Sequence, residues 1–269
     1  MALDAKGNAY GTSSSGGDPT CNCGYVFEVV RSASGWTESV IHTFLGGEND
    51  GADPVSGVIR DSAGNLYGTA TQAGSENYNG AVFELMPNSD GTWTESIIYG
   101  FPGDGGYYPI GPLTLDAAGN LYGTASQAGL YGNGTVFKLT PSGDSWTQTT
   151  LYDFTGGKNG GSPANGLAFD VAGNLYGTTQ YGGTDTVGNV FKLAPTNGYW
   201  NFSMLHSFTG GPDGGNLAID TSGNLYGTTQ VGAPINTVRS TSSRNRMLGG
   251  TRQFCILSRT DLMDRTPRV

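Results

Sequence analysis

Charge is scarce in this sequence, and positive charge scarcer still. Charged residues make up 13% of the 269 positions, with 13 Lys and Arg against 22 Asp and Glu, a net −9 at pH 7. An acidic surface repels phosphate backbones, which argues against nucleic-acid partners. Cysteine is limited to Cys21, Cys23 and Cys255, and histidine to His42 and His206. Four ligands at zinc-site spacing are therefore absent. No apolar run approaches the roughly 20 residues of a membrane-spanning helix. The start, Met1-Ala2-Leu3-Asp4, lacks the charged and apolar regions of a signal peptide. Helical periodicity of useful length is missing as well. No cofactor is expected.

Glycine and aromatics are abundant instead: 46 Gly, 14 Tyr, 11 Phe and 4 Trp. Glycine alone could signal disorder, but disordered chains lack the aromatic surface that offsets ordering entropy. Together these residues predict many short strands joined by tight turns.

The sequence repeats itself. Asp-x-x-Gly-Asn-Leu-Tyr-Gly-Thr starts at Asp61, Asp116, Asp170 and Asp220, and a variant starts at Asp4; the steps are 57, 55, 54 and 50 residues. A Val-Phe segment follows at Val26-Phe27, Val82-Phe83, Val136-Phe137 and Val190-Phe191. A segment led by Trp36, Trp93, Trp146 or Trp200 comes next. His42, Tyr99, Tyr152 or His206 sits six residues after the Trp, and Phe44, Phe101, Phe154 or Phe208 eight residues after it. Even spacing predicts that Trp, the middle ring and Phe share one strand face. A short apolar piece then runs into the next Asp.

One repeat thus reads as strand a into the Asp turn, strand b (Leu-Tyr-Gly-Thr), a loop, strand c (Val-Phe), a turn, and strand d (Trp to Phe). Four strands in about 50 residues match a β-propeller blade. The fold class is all-β, with a tandem-repeat domain over 1–232. Repeats lie near 1–53, 54–108, 109–162, 163–213 and 214–232, the last incomplete; five blades or an open arc are both compatible. Each turn Asp either caps its own turn or contributes to a calcium site. One Asp per turn supplies far fewer than the roughly 6–8 oxygens calcium takes, which favours the cap.

These motifs resemble the Gloeobacter/Verrucomicrobia-type (GloVer) bacterial tandem repeat, marked by Asp-x-x-Gly-Asn-Leu-Tyr-Gly-Thr, a glycine-rich loop and Gly-x-Val-Phe-Lys-Leu. Asp170 to Leu193 match that pattern closely, and the resemblance spans roughly residues 4–232. It implies an exported or surface-attached bacterial protein and supplies no catalytic residues. In similar repeats a cysteine pair often precedes Gly-x-Val-Phe, which implies a Cys21–Cys23 disulfide in an oxidising compartment. A single intervening residue strains such a ring, so two free thiols are the alternative.

Residues 233–269 break the pattern. They hold seven Arg and two Asp, against six basic and twenty acidic residues before them. The segment reads as a divergent Arg-rich tail, disordered or aberrant. It is either a truncated or frame-shifted end, as the abrupt start inside a repeat also implies, or a basic arm for acidic partners.

Strands in a blade alternate direction, so the b–c and d–a loops share one face. Tyr of strand b to Phe of strand c spans 17, 16, 15 and 15 residues, and Phe of strand d to the next Asp spans 17, 15, 16 and 12. Phe of strand c to Trp of strand d stays at 9, 10, 9 and 9. Length variation gathers on one face, where function usually sits. That face carries Tyr78, Tyr131, Tyr181, Gln72, Gln127, Gln180, Asp104 and Asp213, a set suited to a glycan or a protein ligand. Asp50 and Asp53 lie in the same loops. Their bland role is to bond loop backbones and shield blade edges. His42 and His206 share a position with Tyr99 and Tyr152, so they read as packed rings rather than catalytic bases. The expected function is a non-catalytic exported or surface scaffold. The alternative is a propeller hydrolase or lactonase-like enzyme with a metal in a central channel. Strand a disfavours it, because Ile59, Leu115, Phe169 and Ile219 are apolar.

Overall fold

The structure is a computed structural model and describes residues 1–47, 49–72, 79–102, 106–208, 215–229 and 254–258. It comprises two compact units, Met1–Asp153 and Phe154–Val269. The chain is all-β, built from blade-like sheets in the order the repeat predicts.

The first unit holds three four-stranded antiparallel sheets. Blade 1 is β1 (Ala2–Leu3), β2 (Ala9–Ser13), β3 (Tyr25–Ser32) and β4 (Gly35–Thr43). Blade 2 is β5 (Ile59–Arg60), β6 (Leu66–Ala70), β7 (Ala81–Pro87) and β8 (Trp93–Gly100). Blade 3 is β9 (Thr114–Leu115), β10 (Leu121–Ala125), β11 (Thr135–Ser142) and β12 (Ser145–Asp153). In the second unit, blade 4 is β13 (Ala168–Phe169), β14 (Leu175–Thr179), β15 (Asn189–Thr196) and β16 (Tyr199–Ser207). A fifth sheet pairs β17 (Leu217–Ile219) with β18 (Leu225–Thr229).

The a–b turn is built by its aspartate. Asp116 Oδ1 accepts the backbone N–H groups of Ala118 and Asn120, each at 2.9 Å, while Oδ2 accepts from the Asn120 side chain at 2.7 Å and the Tyr122 hydroxyl at 3.0 Å. Asp170 repeats the set with Ala172, Asn174 and Tyr176. The glycine in the turn takes φ of +83° at Gly119 and +78° at Gly173, which a side chain would resist.

Strand b and strand c fit through a notch. Gly68 pairs with Phe83, and Gly123 with Phe137. A Cβ on either glycine would collide with the partner ring. The glycine of Leu-Tyr-Gly-Thr is thus the seat of the next strand's phenyl group.

Neighbouring blades interlock through rings. Phe44 at the end of blade 1 meets Phe83 of blade 2 edge-on at 5.1 Å, and Phe101 meets Phe137 at 5.1 Å. Trp93 packs backward on Tyr10 of blade 1 at 6.1 Å, and Trp146 on Tyr67 at 6.0 Å. Edge-to-face pairs of this kind add about 0.5–1.5 kcal/mol beyond their buried area. In the second unit Phe154 meets Phe191 at 5.2 Å. Tyr176, Val190, Phe208 and Leu225 form a cluster joining blade 4 to the fifth sheet.

This corrects the expected strand d. Its Trp, middle ring and Phe do not share one face. The register of β7 with β8 shifts between Val82 and Phe83, and β3–β4, β11–β12 and β15–β16 shift at the equivalent point. A bulge inserts one residue and reverses the parity of facing. Trp93 therefore packs on blade 1, while Tyr99 and Phe101 pack toward blade 3.

Five residues of the tail are described. Phe254–Ser258 forms β19, paired parallel to β18 with Leu225 opposite Phe254. A run of β-favouring residues has added to the edge where an antiparallel strand c stands in complete repeats. The rest of 233–269 lies outside the described residues.

Candidate functional site

The d–a loops are held by a repeated backbone device. Ala52 bridges Gln72 and Tyr107 bridges Gln127, each pair exchanging both backbone hydrogen bonds. The next residue in each loop, Asp53 or Tyr108, sits at a φ of +56° or +54°. Ser162 does so at +52° in the second unit. A proline follows all three. Left-handed backbone is costly for residues other than glycine and persists only where its surroundings enforce it. Here the enforcement is visible: Thr71 donates its hydroxyl to Asp53 Oδ2 at 2.7 Å, and Ser126 donates to the Tyr108 carbonyl at 3.1 Å.

On this frame the predicted residues are distributed one repeat at a time. Gln72 and Gln127 have their backbones in the bridges and their side chains exposed. Tyr131 is 55% exposed at the tip of the b–c loop of blade 3, where its carbonyl accepts from Asn133. Its loop is tied back by Asp153, which accepts the Leu130 N–H at 2.9 Å. In the second unit Gln180 is half-buried and accepts from the Ser162 hydroxyl at 3.0 Å. Gln180 therefore lies one residue out of step with Gln72 and Gln127, whose counterpart is Tyr181. The Tyr181 ring lies over Gly161, and burial raises the pKa of its hydroxyl. Tyr78, Asp104 and Asp213 lie outside the described residues.

In the first b–c loop, Cys21 and Cys23 are joined as a disulfide. The Cys23 carbonyl accepts the Asp53 N–H at 2.8 Å, so this loop supports the first left-handed corner.

One cluster escaped the sequence reading. His42 Nε2 lies 3.2 Å from Asp50 Oδ1, and Glu95 of β8 completes a group whose ligating atoms all lie within 4.8 Å of one another. Asp50 is anchored by the N–H groups of Leu45 and Gly51, each at 2.7 Å. Burial works against its charge, but the bonds from His42, Leu45 and Gly51 outweigh it and hold the carboxyl below the usual aspartate range. Glu95 behaves oppositely. Burial, then the charge of Asp50, pushes it up to about 7. Its Oε1 is buried and accepts no hydrogen bond among the described residues. His42 does pack edge-on to Phe44 at 4.7 Å, as a ring at that position should. A faint sequence signal existed: two residues after each Trp stand Glu38, Glu95, Gln148 and Phe202, and only Glu95 follows a blade that carries His at the middle-ring position.

Among solved structures, the chain is similar to a protein of unknown function from Dyadobacter fermentans, at 13% identity and a TM-score of 0.49, over 81% of this chain and 70% of that one. It is also similar to a thermostable family-43 glycoside hydrolase, at 12% identity and a TM-score of 0.36, over 75% of this chain and 76% of that one. No curated protein matches it. Residues 1–240 match the model of the Gloeobacter/Verrucomicrobia repeat, and the chain belongs to that family.

Proposed function

We propose that this repeat scaffold is an exported or cell-surface protein that binds a glycan or a protein ligand, without catalysis, through its b–c and d–a loops. The observation that carries the reading is the contrast between frame and tip. Bridges, left-handed corners and hydroxyl bonds fix the loop bases, while Gln72, Gln127 and Tyr131 are left exposed. Rigid bases with exposed rings and amides limit the ordering cost of binding. A Cys21–Cys23 disulfide suits an oxidising compartment.

The test is a panel of immobilised polysaccharides and surface-protein extracts probed with the full chain. Tyr131→Ala and Gln127→Ala should weaken retention about tenfold, because each removes a contact and leaves the fold intact. Retention unchanged in both variants, or no retention on any surface, would remove the binding role.

A further inference from the structure

The cluster of His42, Asp50 and Glu95 joins two blades, and its chemistry is that of a metal site. Beyond the bulge in β4, His42 shares a strand face with Phe44, whose ring packs against blade 2. Asp50 comes from the loop that follows β4. Glu95 stands on β8, two residues from Trp93, on the face that packs against blade 1.

We propose that His42, Asp50 and Glu95 bind a divalent transition-metal ion, with zinc as its probe, and that the ion clamps blade 1 to blade 2. Donors of a tetrahedral zinc site lie about 2.0–2.2 Å from the metal, hence about 3.3–3.5 Å from one another. The His42–Asp50 pair, at 3.2 Å, already has the spacing of one edge of such a site. Closure asks only a rotamer-scale movement of the Glu95 carboxylate. One imidazole with two carboxylates suits zinc or manganese, whereas calcium and magnesium favour all-oxygen sets. Two observations beyond proximity support a cation. The N–H groups of Leu45 and Gly51 orient Asp50, the outer-shell support that metal carboxylates require. The buried Glu95 Oε1 accepts no hydrogen bond among the described residues, and a buried carboxylate oxygen must find a donor, a proton or a cation. Among the described residues the cluster stands at this blade pair alone: the matching residues of blades 2 and 3 are Tyr99 and Gln148.

The test uses the full chain, stripped with a chelator and titrated with zinc chloride by calorimetry and by thermal unfolding. One zinc per chain at micromolar or tighter affinity is expected, with a Tm rise of several degrees at saturation. Glu95→Gln and His42→Tyr borrow residues that other repeats carry at these positions, so both should fold, as circular dichroism checks. Each should weaken zinc at least tenfold and abolish the Tm rise. His206→Tyr, which removes the other histidine, should change neither. Absence of saturable binding below about 100 µM would overturn the proposal, as would unchanged affinity in both cluster variants or tighter binding of calcium than of zinc. A Glu95→Gln variant that is stabilised while zinc does nothing would show instead that Glu95 is a neutral acid filling a gap.

Discussion

The residue that follows Val-Phe decides how each buried tyrosine is served. In blades 1 and 2 it is Glu28 or Glu84, which accepts the Tyr10 or Tyr67 hydroxyl at 2.8 Å. In blades 3 and 4 it is Lys138 or Lys192, whose Nζ lies 5.7 or 5.9 Å from the centre of the Tyr122 or Tyr176 ring. There the hydroxyl donates to the turn aspartate at 3.0 or 2.9 Å, a bond that is longer at Tyr67 (to Asp61, 3.2 Å) and Tyr10 (to Asp4, 3.5 Å). Burial opposes the charge on Asp116 and Asp170, yet bonds from Asn120 and Tyr122, or Asn174 and Tyr176, hold both carboxyls below the usual aspartate range. A depressed carboxyl stabilises the fold above its unfolded pKa, and that contribution is lost as pH falls through its folded value. Denaturant unfolding from pH 7 to pH 2 should therefore show an acid-sensitive limb, shallower in Asp116→Asn and Asp170→Asn. A second expectation concerns the glycine notch. Gly123→Ala would drive a methyl into the Phe137 ring and the Leu113 side chain, costing about 1–3 kcal/mol in chemical unfolding.

At the scale of the strand, the bulge is what lets one element serve two neighbours. Without it, Trp93 and Phe101 would point the same way and one interface would lose its ring. Phe101→Ala should cost about 3–5 kcal/mol, since the ring is fully buried against Phe137. Tryptophan tests the other face. Trp93→Ala should lower Tm clearly, because it loses Tyr10, whereas Trp36, 60% exposed beside Arg31, should tolerate the same change within about 0.5 kcal/mol. Repeat length, strand count and turn positions were legible in the sequence because spacing records them directly. The bulge was not, because even spacing from Trp to Phe looks the same whether a strand is regular or gains a residue in pairing. The glycine notch was equally silent: it depends on which residue of strand c lies opposite strand b.

Across the molecule, what the sequence hid was contact between repeats. His42 reads as one more ring in its own repeat; only stacking brings Glu95 of the next blade within reach of it and of Asp50. Length variation marks the b–c and d–a loops in the sequence. Their individual residues are less legible, since Gln180 falls one position out of register with Gln72 and Gln127. If the exposed loops bind a ligand, saturating ligand should raise Tm, and Tyr131→Ala should lose most of that rise without changing the unliganded Tm by more than about 1 °C.

The ring contacts between Phe44 and Phe83, and between Phe101 and Phe137, repeat the same handshake from one copy to the next. A unit that presents the same donor side and receiver side as its neighbours can be duplicated or deleted whole by recombination within a gene. The new junction then inherits a tested fit. Copy number can thus change without a new ring fit, while the meeting of His42, Asp50 and Glu95 sets one described junction apart from the others.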